Sequence, residues 1–569
     1  MSCYFMKKTI SKKIVAGVIT LCIMALLILS AGTDSKAYYK EGDKLTDDGF
    51  YYRELNDGTI AITDYEFTSA NPVIPDMIDG KPVTAIDQNS FIPSTEETEK
   101  IKSITLPDTL TRISNTAFFG NAALTYVYIP DSVEIIGYGA FQCCYSLKKV
   151  HLPKNLNSFG YSVFSSSDNL TEMELSDECQ TYKVVGDALY SKDEKTLIYV
   201  VEGLKGSFDV PENVTKIRDR AFSGINLTGV NISKNVEKIS GEAFFGSEVT
   251  DITVDPENTH FKAIENVLYT GDMSHLMYCG VNKEGMLIVP EGVKVIDKDA
   301  FWDAQISNIV LPDSLTTIEG DAFYGTRRLT GVTIPPTVKN IEDDSFSYFS
   351  RGSHYLFVSP GSYAEEYAVK NKFNYIQDDL KFVDVGKYDF FREAVTWACH
   401  SEPKITQGIN ADHFKPYNKC TRAQMIMFLW NCMGCPEPES LDNPFTDVKE
   451  TDFYFKAVLW AKEKNITSGK TADRFAPQDI CTRGQFVIFF WRACGSKYEY
   501  IYDGDNIIEF SDVPAHSDLH AAVVWAQKHY ITSGVTPTEF RPSSTINRAQ
   551  AVTFLFRGNF EIKQYKNKK

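Results

Sequence analysis

A two-residue step, alanine-phenylalanine or a close variant of it, recurs eight times at nearly constant spacing, and this period constrains the fold more than any other feature of the sequence. Neighbouring copies lie 22 or 23 residues apart, except across two longer steps of 57 and 58 residues. The phenylalanines are Phe118, Phe141, Phe164, Phe222, Phe244, Phe301, Phe323 and Phe346. Because one unit of this length cannot bury its own apolar face, the repeat predicts a solenoid whose stacked units share a continuous core.

Each unit contains the pattern Leu-x-x-Val-x-Ile-Pro, as in residues 124–130. The alternation predicts a short strand with one buried face, and the proline then ends the ladder. The two longer steps hold matching inserts at residues 184–190 and 263–269, each followed by a turn and a second apolar stretch, which predicts a β-hairpin. A small polar or thiol side chain precedes several strands, where we expect it to bond the turn backbone: Asn121, Cys144 and Thr326.

The run Ile-Pro-Asp-Ser-Val-x-x-Ile-Gly-x-x-Ala-Phe at residues 129–141 resembles the BspA-type leucine-rich repeats of bacterial surface proteins. The resemblance covers about three-fifths of the chain and implies a solenoid over residues 38–376. We expect residues 50–62 to form an N-terminal capping hairpin and residues 361–368 a closing helix, followed by a strand at 373–376. For the family, the resemblance implies binding of proteins or glycans in adhesion.

Among the strand positions that we expect to face solvent, two tyrosines and their neighbours form the best candidate ligand patch of the solenoid. Aromatic side chains concentrate binding energy at interfaces. The candidate residues are Tyr126, Tyr128, Lys149 and His151. Ordinary residues of a strand surface are the alternative interpretation.

A second, longer repeat closes the chain in three copies. Each copy opens with Phe-x-Asp-Val, continues through Trp-Ala, Ile-Thr-x-Gly and Phe-x-Pro, and ends in Thr-Arg-x-Gln or Asn-Arg-x-Gln. Apolar residues at helical spacing predict two helices joined by a loop in each copy. We place the three blocks at residues 382–438, 445–499 and 510–558.

The last step of each block predicts a capping box, in which the first side chain caps a backbone N–H and the glutamine reaches back to the cap residue's own N–H. The three boxes begin at Thr421, Thr482 and Asn547. We expect the arginine that follows to have no local structural duty, and it falls where free N–H groups and the helix dipole favour an anion. A guanidinium there can pair with a ligand carboxylate, whereas pairing with a nearby acid such as Asp384 is the structural alternative.

The three blocks resemble S-layer homology domains, for which three in tandem is the usual arrangement. The resemblance implies an all-α, three-pronged bundle that holds secondary cell-wall polysaccharide non-covalently, often through a pyruvylated sugar. It assigns ligand contact to three arginines and close approach of the ligand to three loop glycines. These residues are Arg422, Arg483 and Arg548, with Gly408, Gly469 and Gly534.

The blocks depart from the family pattern at two places. The motif most often ends in Glu, and here it ends in Gln, which leaves the exact glycan open. The first block also has two extra residues between Trp397 and Ile405, so we expect its binding to be altered. The chain as a whole is predicted to be an α+β multidomain protein, a solenoid followed by a helical bundle.

Composition and the N-terminus bear on where the protein acts. The formal net charge is −17, which argues against nucleic acid as a partner, since lysine and arginine must displace phosphate counterions there. A basic stretch, an apolar run over residues 14–29 and Ser35-Lys36-Ala37 predict a cleaved signal peptide at 1–37. The run is shorter than the roughly 20 residues that a spanning helix needs, so we expect no membrane span after cleavage.

No catalytic, metal-binding or cofactor-binding motif is apparent, and the repeats occupy nearly all of the mature chain, so we do not expect an enzyme. The sequence predicts a secreted protein on the surface of a Gram-positive bacterium. We expect the three C-terminal blocks, the triplet, to bind the cell wall while the solenoid binds a protein or glycan in adhesion. Two alternatives are a structural coat component with a self-associating solenoid, and a surface module that captures glycans.

Overall fold

The computed structural model describes residues 43–94, 100–347, 349, 354–495 and 507–567. The chain divides into two compact units, the first running to Lys283 with Val295–Ala304 added, and the second comprising Glu284–Lys294 and the chain from Gln305 onward. The predicted signal peptide at 1–37 lies outside the described residues, as do the predicted start of the solenoid at 38 and the predicted end of the second block at 499.

The first unit consists of short strands separated by turns. Its strands are β1 (Lys44–Leu45), β2 (Phe50–Glu54), β3 (Ile60–Tyr65), β4 (Met77–Ile78), β5 (Lys81–Ile86), β6 (Arg112–Ile113), β7 (Tyr126–Tyr128), β8 (Ile135–Ile136), β9 (Lys149–Leu152), β10 (Ser158–Phe159), β11 (Glu172–Leu175), β12 (Tyr182–Val185), β13 (Ala188–Ser191), β14 (Thr196–Val200), β15 (Ser207–Asp209), β16 (Lys216–Ile217), β17 (Gly229–Ile232), β18 (Lys238–Ile239), β19 (Ile252–Val254), β20 (Phe261–Ile264), β21 (Val267–Thr270), β22 (His275–Cys279) and β24 (Val295–Ile296). The predicted capping hairpin is confirmed, since β2 and β3 pair antiparallel.

The repeating strands of this unit form two kinds of parallel row. The predicted strands pair as β7–β9–β11 and as β15–β17–β19. A second row of two-residue strands, β6–β8–β10 and β16–β18, was not predicted, because two residues are too few to show a period. The predicted antiparallel hairpins are present as β13–β14 and β21–β22. Each insert also contributes an earlier strand that was not predicted, β12 or β20, which pairs antiparallel with β13 or β21.

The recurring phenylalanines form the core as a buried column. The rings of Phe118 and Phe141 stack at 5.0 Å between centroids, and those of Phe222 and Phe244 at 5.1 Å. The predicted turn bonds are also present. Asn121 Nδ2 donates to Phe91 O at 2.8 Å and to Phe118 O at 2.9 Å, and the Cys144 thiol also donates to Phe118 O, at 3.4 Å.

The second unit contains the last solenoid strands and all three C-terminal blocks. Its strands are β23 (Gly285–Ile288), β25 (Ile306–Val310), β26 (Thr317–Ile318), β27 (Gly331–Ile334), β28 (Asn340–Ile341), β29 (Tyr355–Val358) and β30 (Tyr375–Gln377). Its helices are α1 (Tyr363–Lys370), α2 (Arg392–His400), α3 (Arg422–Cys432), α4 (Phe455–Glu463), α5 (Arg483–Ala493), α6 (Asp518–Lys528), α7 (Arg548–Arg557) and α8 (Asn559–Asn567). Each block contributes the predicted pair of helices, α2 with α3, α4 with α5, and α6 with α7.

One apolar core joins the last solenoid strands to the blocks. Phe357 of β29 belongs to the same buried cluster as the helices. The ring of Phe556 in α7 lies 6.0 Å from that of Phe357 and 5.4 Å from that of Trp397 in α2. The sequence places a domain boundary between residues 376 and 382, but side chains from both sides of that boundary share this core.

Candidate functional site

The three blocks close into a ring through backbone hydrogen bonds between equivalent residues. The Cys420 N–H donates to Ile546 O at 3.0 Å, the Cys481 N–H to Cys420 O at 2.9 Å, and the Ile546 N–H to Cys481 O at 3.1 Å. Each residue stands just before the cap of the second helix of its block. The ring creates three junctions, each between one block's second helix and the Phe-x-Pro loop of the next block. We call them the first (α3 and block 2), second (α5 and block 3) and third (α7 and block 1) junctions.

All three predicted capping boxes are confirmed. In α3, the Thr421 N–H donates to Gln424 Oε1 at 2.9 Å, and the Gln424 N–H donates to Thr421 Oγ1 at 3.3 Å. Glutamine therefore performs the capping function that the sequence assigns to it.

The prediction that free N–H groups at these helix starts would favour an anion is wrong, because the next block already uses them. At the first junction, the Arg422 N–H donates to Asp479 O at 2.8 Å and the Ala423 N–H to Pro477 O at 3.1 Å. The same pair of bonds occurs at the other two junctions. Any anion at a junction must therefore be held by side chains.

The three arginine side chains tie adjacent blocks together. Each is buried, with 5 to 7% of its surface exposed. Each donates Nε–H to the carbonyl of the loop phenylalanine across its junction: Arg422 to Phe475 at 3.0 Å, Arg483 to Phe540 at 3.2 Å, and Arg548 to Phe414 at 2.9 Å. The guanidinium also lies over that phenylalanine ring, 4.5 to 4.9 Å from its centroid. The expectation that these arginines have no local structural duty is thus wrong.

The acid of each Phe-x-Asp-Val opening has a separate role. Asp384 accepts two backbone N–H groups of its own block's loop, from Phe414 and Lys415, both at 2.8 Å. Asp447 does the same in block 2 at 2.9 and 2.8 Å. Burial alone would raise the pKa of both carboxyls, but these N–H bonds leave each pKa below its usual value. Asp384 thus holds the loop rather than pairing with an arginine, and only its recurrence marks this role in the sequence.

The junctions differ at the outer nitrogen of the arginine. The Nη2 atoms of Arg422 and Arg483 are buried and have no hydrogen-bond partner among the residues that the structure describes. Arg548 Nη2 instead donates to Gln407 O at 2.6 Å and to Thr406 Oγ1 at 3.2 Å. The third junction is therefore filled by the chain itself.

The loop of the first block explains this difference. Gly469 and Gly534 adopt left-handed φ values of 90° and 93°, and their N–H groups donate to the threonine two residues earlier, at 3.2 Å in each case. Gly408 lies outside the left-handed region, and the Thr406 hydroxyl donates a hydrogen bond to Gln407 O. The two extra residues of the first block directly precede this altered loop.

Packing alone accounts for the three loop glycines. A Cβ on Gly469 would lie 2.6 Å from Phe445 Cε1, and one on Gly534 would lie 2.5 Å from Phe510 Cε1. Gly408 faces Phe382 in the same way. The glycine lets the opening phenylalanine of each block pack against the loop, while close approach of a ligand to the glycine stays a prediction.

The solenoid patch is brought together on neighbouring strands. Tyr126 pairs with Lys149, and Tyr128 with His151, across β7 and β9. The Tyr128 and His151 rings stack at 4.6 Å, and the two tyrosines are 41% and 46% exposed. Lys149 Nζ lies 2.6 Å from Glu174 Oε1 on β11, so the patch is aromatic at one side and acidic at the other.

Two family models match the chain. The model described as the BspA type Leucine rich repeat region matches residues 56–192, 204–276 and 274–390, in six copies. The model described as the S-layer homology domain matches residues 444–487 and 509–552, within the second and third blocks. The first block shares their sequence pattern and capping-box helix. Within the described residues, no helix has both the length and the apolarity to cross a bilayer.

Curated relatives match short stretches. An endoglucanase of Bacillus sp. (strain KSM-635) is 31% identical over 26% of this chain and 16% of its own length. A cellulosome-anchoring protein of Acetivibrio thermocellus is 26% identical over 25% of this chain and 33% of its own length. A cell surface protein of Thermoanaerobacter kivui is 33% identical over 20% of this chain and 15% of its own length. The chain thus spans a third or less of the length of these relatives.

Among solved structures, a leucine rich cell surface protein from Faecalibacterium prausnitzii is 21% identical, with a TM-score of 0.31 over 59% of this chain and 99% of that one. The pneumococcal vaccine antigen PcpA is 16% identical, with a TM-score of 0.30 over 60% of this chain and 99% of that one.

Proposed function

Because the chain belongs to the BspA-type leucine-rich repeat proteins and carries S-layer homology domains, we propose that its C-terminal triplet holds it on the bacterial cell wall. The ligand is secondary cell-wall polysaccharide, bound without a covalent link. The protein acts at the surface of a Gram-positive bacterium and presents its solenoid outward. The chain is not an enzyme, and both matched families are non-catalytic.

The observation that carries this proposal is the buried arginine at each block junction. A guanidinium in a water-poor site forms strong, directional hydrogen bonds to carboxylates, such as the acid group of a pyruvylated sugar. Burial lowers the pKa of Arg483 to about 10, so it remains cationic at neutral pH. The cellulosome-anchoring function named for the Acetivibrio relative agrees with this role.

Co-sedimentation of the full chain with purified cell walls tests the anchor. We expect most of the protein to pellet with intact walls. Walls stripped of their polysaccharide by hydrofluoric acid retain peptidoglycan and serve as the matched control, with which the protein should stay in the supernatant. Equal pelleting with both preparations would contradict a polysaccharide ligand, and no pelleting with either would contradict wall anchoring.

The solenoid is proposed to bind a protein or glycan through the aromatic patch of β7 and β9. Exposed tyrosines supply large contact area at low entropic cost, and they stack on sugar rings or peptide groups. The Tyr126→Ser/Tyr128→Ser double variant should lose binding to host matrix proteins, mucin or a glycan array, with Tyr161→Ser as the control at an exposed tyrosine elsewhere. Concentration-dependent self-assembly without such binding would instead favour a structural coat component.

A further inference from the structure

We propose that a phosphate group, free or as a terminal phosphate ester, binds between Arg328 and Arg557, where the last solenoid strands contact the third block. Arg328 lies in the turn before β27, and Arg557 is the last residue of α7. The site is separate from the block junctions, because Arg557 lies about 14 Å along α7 from Arg548. The inference therefore does not depend on the proposed wall anchor.

Contacts within the third block place the two arginines side by side. The Arg328 guanidinium lies over the Tyr530 ring, 5.7 Å from its centroid. A Cβ on Gly558 would lie 3.0 Å from Ile531 Cδ1, so the chain that follows Tyr530 packs against the end of α7. Arg557 directly precedes Gly558 and thus lies on the same side of the block as Arg328.

Hydrogen bonds to two neighbouring solenoid strands join the same arginines. Asn308 of β25 pairs with Met286 of β23, and Glu284 stands two residues before Met286. Arg557 Nη2 donates to Asn308 Oδ1 at 3.1 Å, and Arg328 Nη1 donates to Glu284 Oε1 at 2.7 Å. Two guanidinium groups therefore share one carboxylate, and that carboxylate bonds Arg328.

Arg557 is a partly buried cation without a counter-ion in the described part of the chain. The neutral Asn308 amide is its only hydrogen-bond partner there, although a guanidinium has five N–H donors. Burial and the positive charge of Arg328 lower the pKa of Arg557 to about 10, so it stays cationic at neutral pH. Because a desolvated charge is costly unless it is paired, an anion at this position would stabilise the fold.

Arg328 has a donor that is available to the same anion. Its Nε is buried and has no hydrogen-bond partner among the described residues, whereas most buried polar atoms in proteins are paired. A planar carboxylate matches the fork of one guanidinium. A tetrahedral phosphate has oxygens in several directions and up to two charges, so it can accept from both arginines.

The site is open to solvent on one side. The Arg328 side chain is 21% exposed and Tyr530 is 41% exposed, so a small anion or the end of a longer ligand can enter. Since Arg328 and Asn308 belong to the solenoid and Arg557 belongs to the third block, bound phosphate would link the two repeat arrays.

Thermal unfolding of the full chain with inorganic phosphate tests the site. Replacing chloride by about 10 mM phosphate at constant ionic strength should raise Tm by about 3 to 5 °C, and titration calorimetry should give one site per chain. Arg557→Gln and Arg328→Gln should each abolish this rise. Arg327→Gln removes the same charge from an exposed neighbour and should keep it. Because Arg328 is partly exposed, we expect its variant to fold even if Arg557→Gln does not.

Glycerol 3-phosphate distinguishes the two sources of the phosphate group. Affinity equal to that of inorganic phosphate would support an ester as the ligand, and binding of inorganic phosphate alone would support the free ion. Absence of calorimetric binding would overturn the inference. A rise in Tm that persists in both Arg328→Gln and Arg557→Gln, or that Arg327→Gln also abolishes, would overturn it as well.

Discussion

At the scale of single residues, Glu393 combines burial with a titratable group. It lies at the start of α2, and its Oε1 accepts a hydrogen bond from Thr333 Oγ1 at 3.0 Å. Burial raises the pKa of this carboxyl to about 7, although the Thr333 bond and the nearby Arg392 oppose the change. The protonated form is favoured in the folded state, so its stabilising contribution is full below about pH 4 and is lost as pH rises through 7.

Glu393→Gln should therefore raise the free energy of unfolding of the second unit by about 2 kcal/mol at pH 8 and change it little at pH 4. Glutamine keeps an acceptor for Thr333 and carries no charge. Urea unfolding at both pH values measures the difference, with Glu366→Gln on the exposed side of α1 as the control. The same pH dependence in both variants would contradict this role of Glu393.

For the junction arginines, the sequence predicts the position along the chain but not the burial of the side chain. Their triple recurrence identified them as special, and the capping boxes fixed their position at the start of a helix. Their burial could not be predicted, because each side chain bonds a carbonyl 53, 57 or 134 residues away in sequence. The unpaired Nη2 atoms depend on loop conformation in another block, which no local pattern records.

At the scale of elements, the caps of the second helices are testable. Thr482 Oγ1 accepts the Gln485 N–H at 3.2 Å at the start of α5. Thr482→Ala removes this acceptor and should lower the free energy of unfolding of the second unit by about 1 kcal/mol, whereas Thr482→Ser keeps it. Chemical denaturation of both variants measures the difference, and equal losses would show that the methyl group rather than the hydroxyl matters.

The elements themselves were predictable where a period or a cap defines them. The capping boxes located the starts of α3, α5 and α7 to the residue, and the repeat located the longer solenoid strands. The sequence did not predict the two-residue strands β6, β8 and β10, since each exists only through its parallel neighbours in adjacent turns. The strand after α1 begins at Tyr375 rather than Phe373, whose side chain packs on Tyr367 instead.

At the scale of the whole molecule, the last solenoid strands and the triplet should unfold together. Phe556→Ala removes a ring that contacts both β29 and α2, and should destabilise the second unit by about 3 to 5 kcal/mol. Phe390→Ala, at an exposed ring of the same unit, is the control and should cost much less. Hydrogen exchange should quicken in β29 and α2 alike, and an effect confined to α2 would contradict a shared core.

Sequence reasoning separated the two repeat arrays correctly but could not foresee this shared core. A boundary between repeats of different period is visible in the sequence. Contacts such as Arg557 with Asn308, 249 residues apart, are not visible, because both residues look like ordinary polar positions of their own element.

The central claim is that the block junctions of the triplet hold wall polysaccharide, and hydrogen exchange of the full chain with and without that polysaccharide tests it most directly. We predict slower exchange at residues 418–424, 474–485 and 540–546 when polysaccharide is added, and unchanged exchange at residues 126–151. Protection confined to the solenoid, or no protection at the junctions despite binding, would contradict the account.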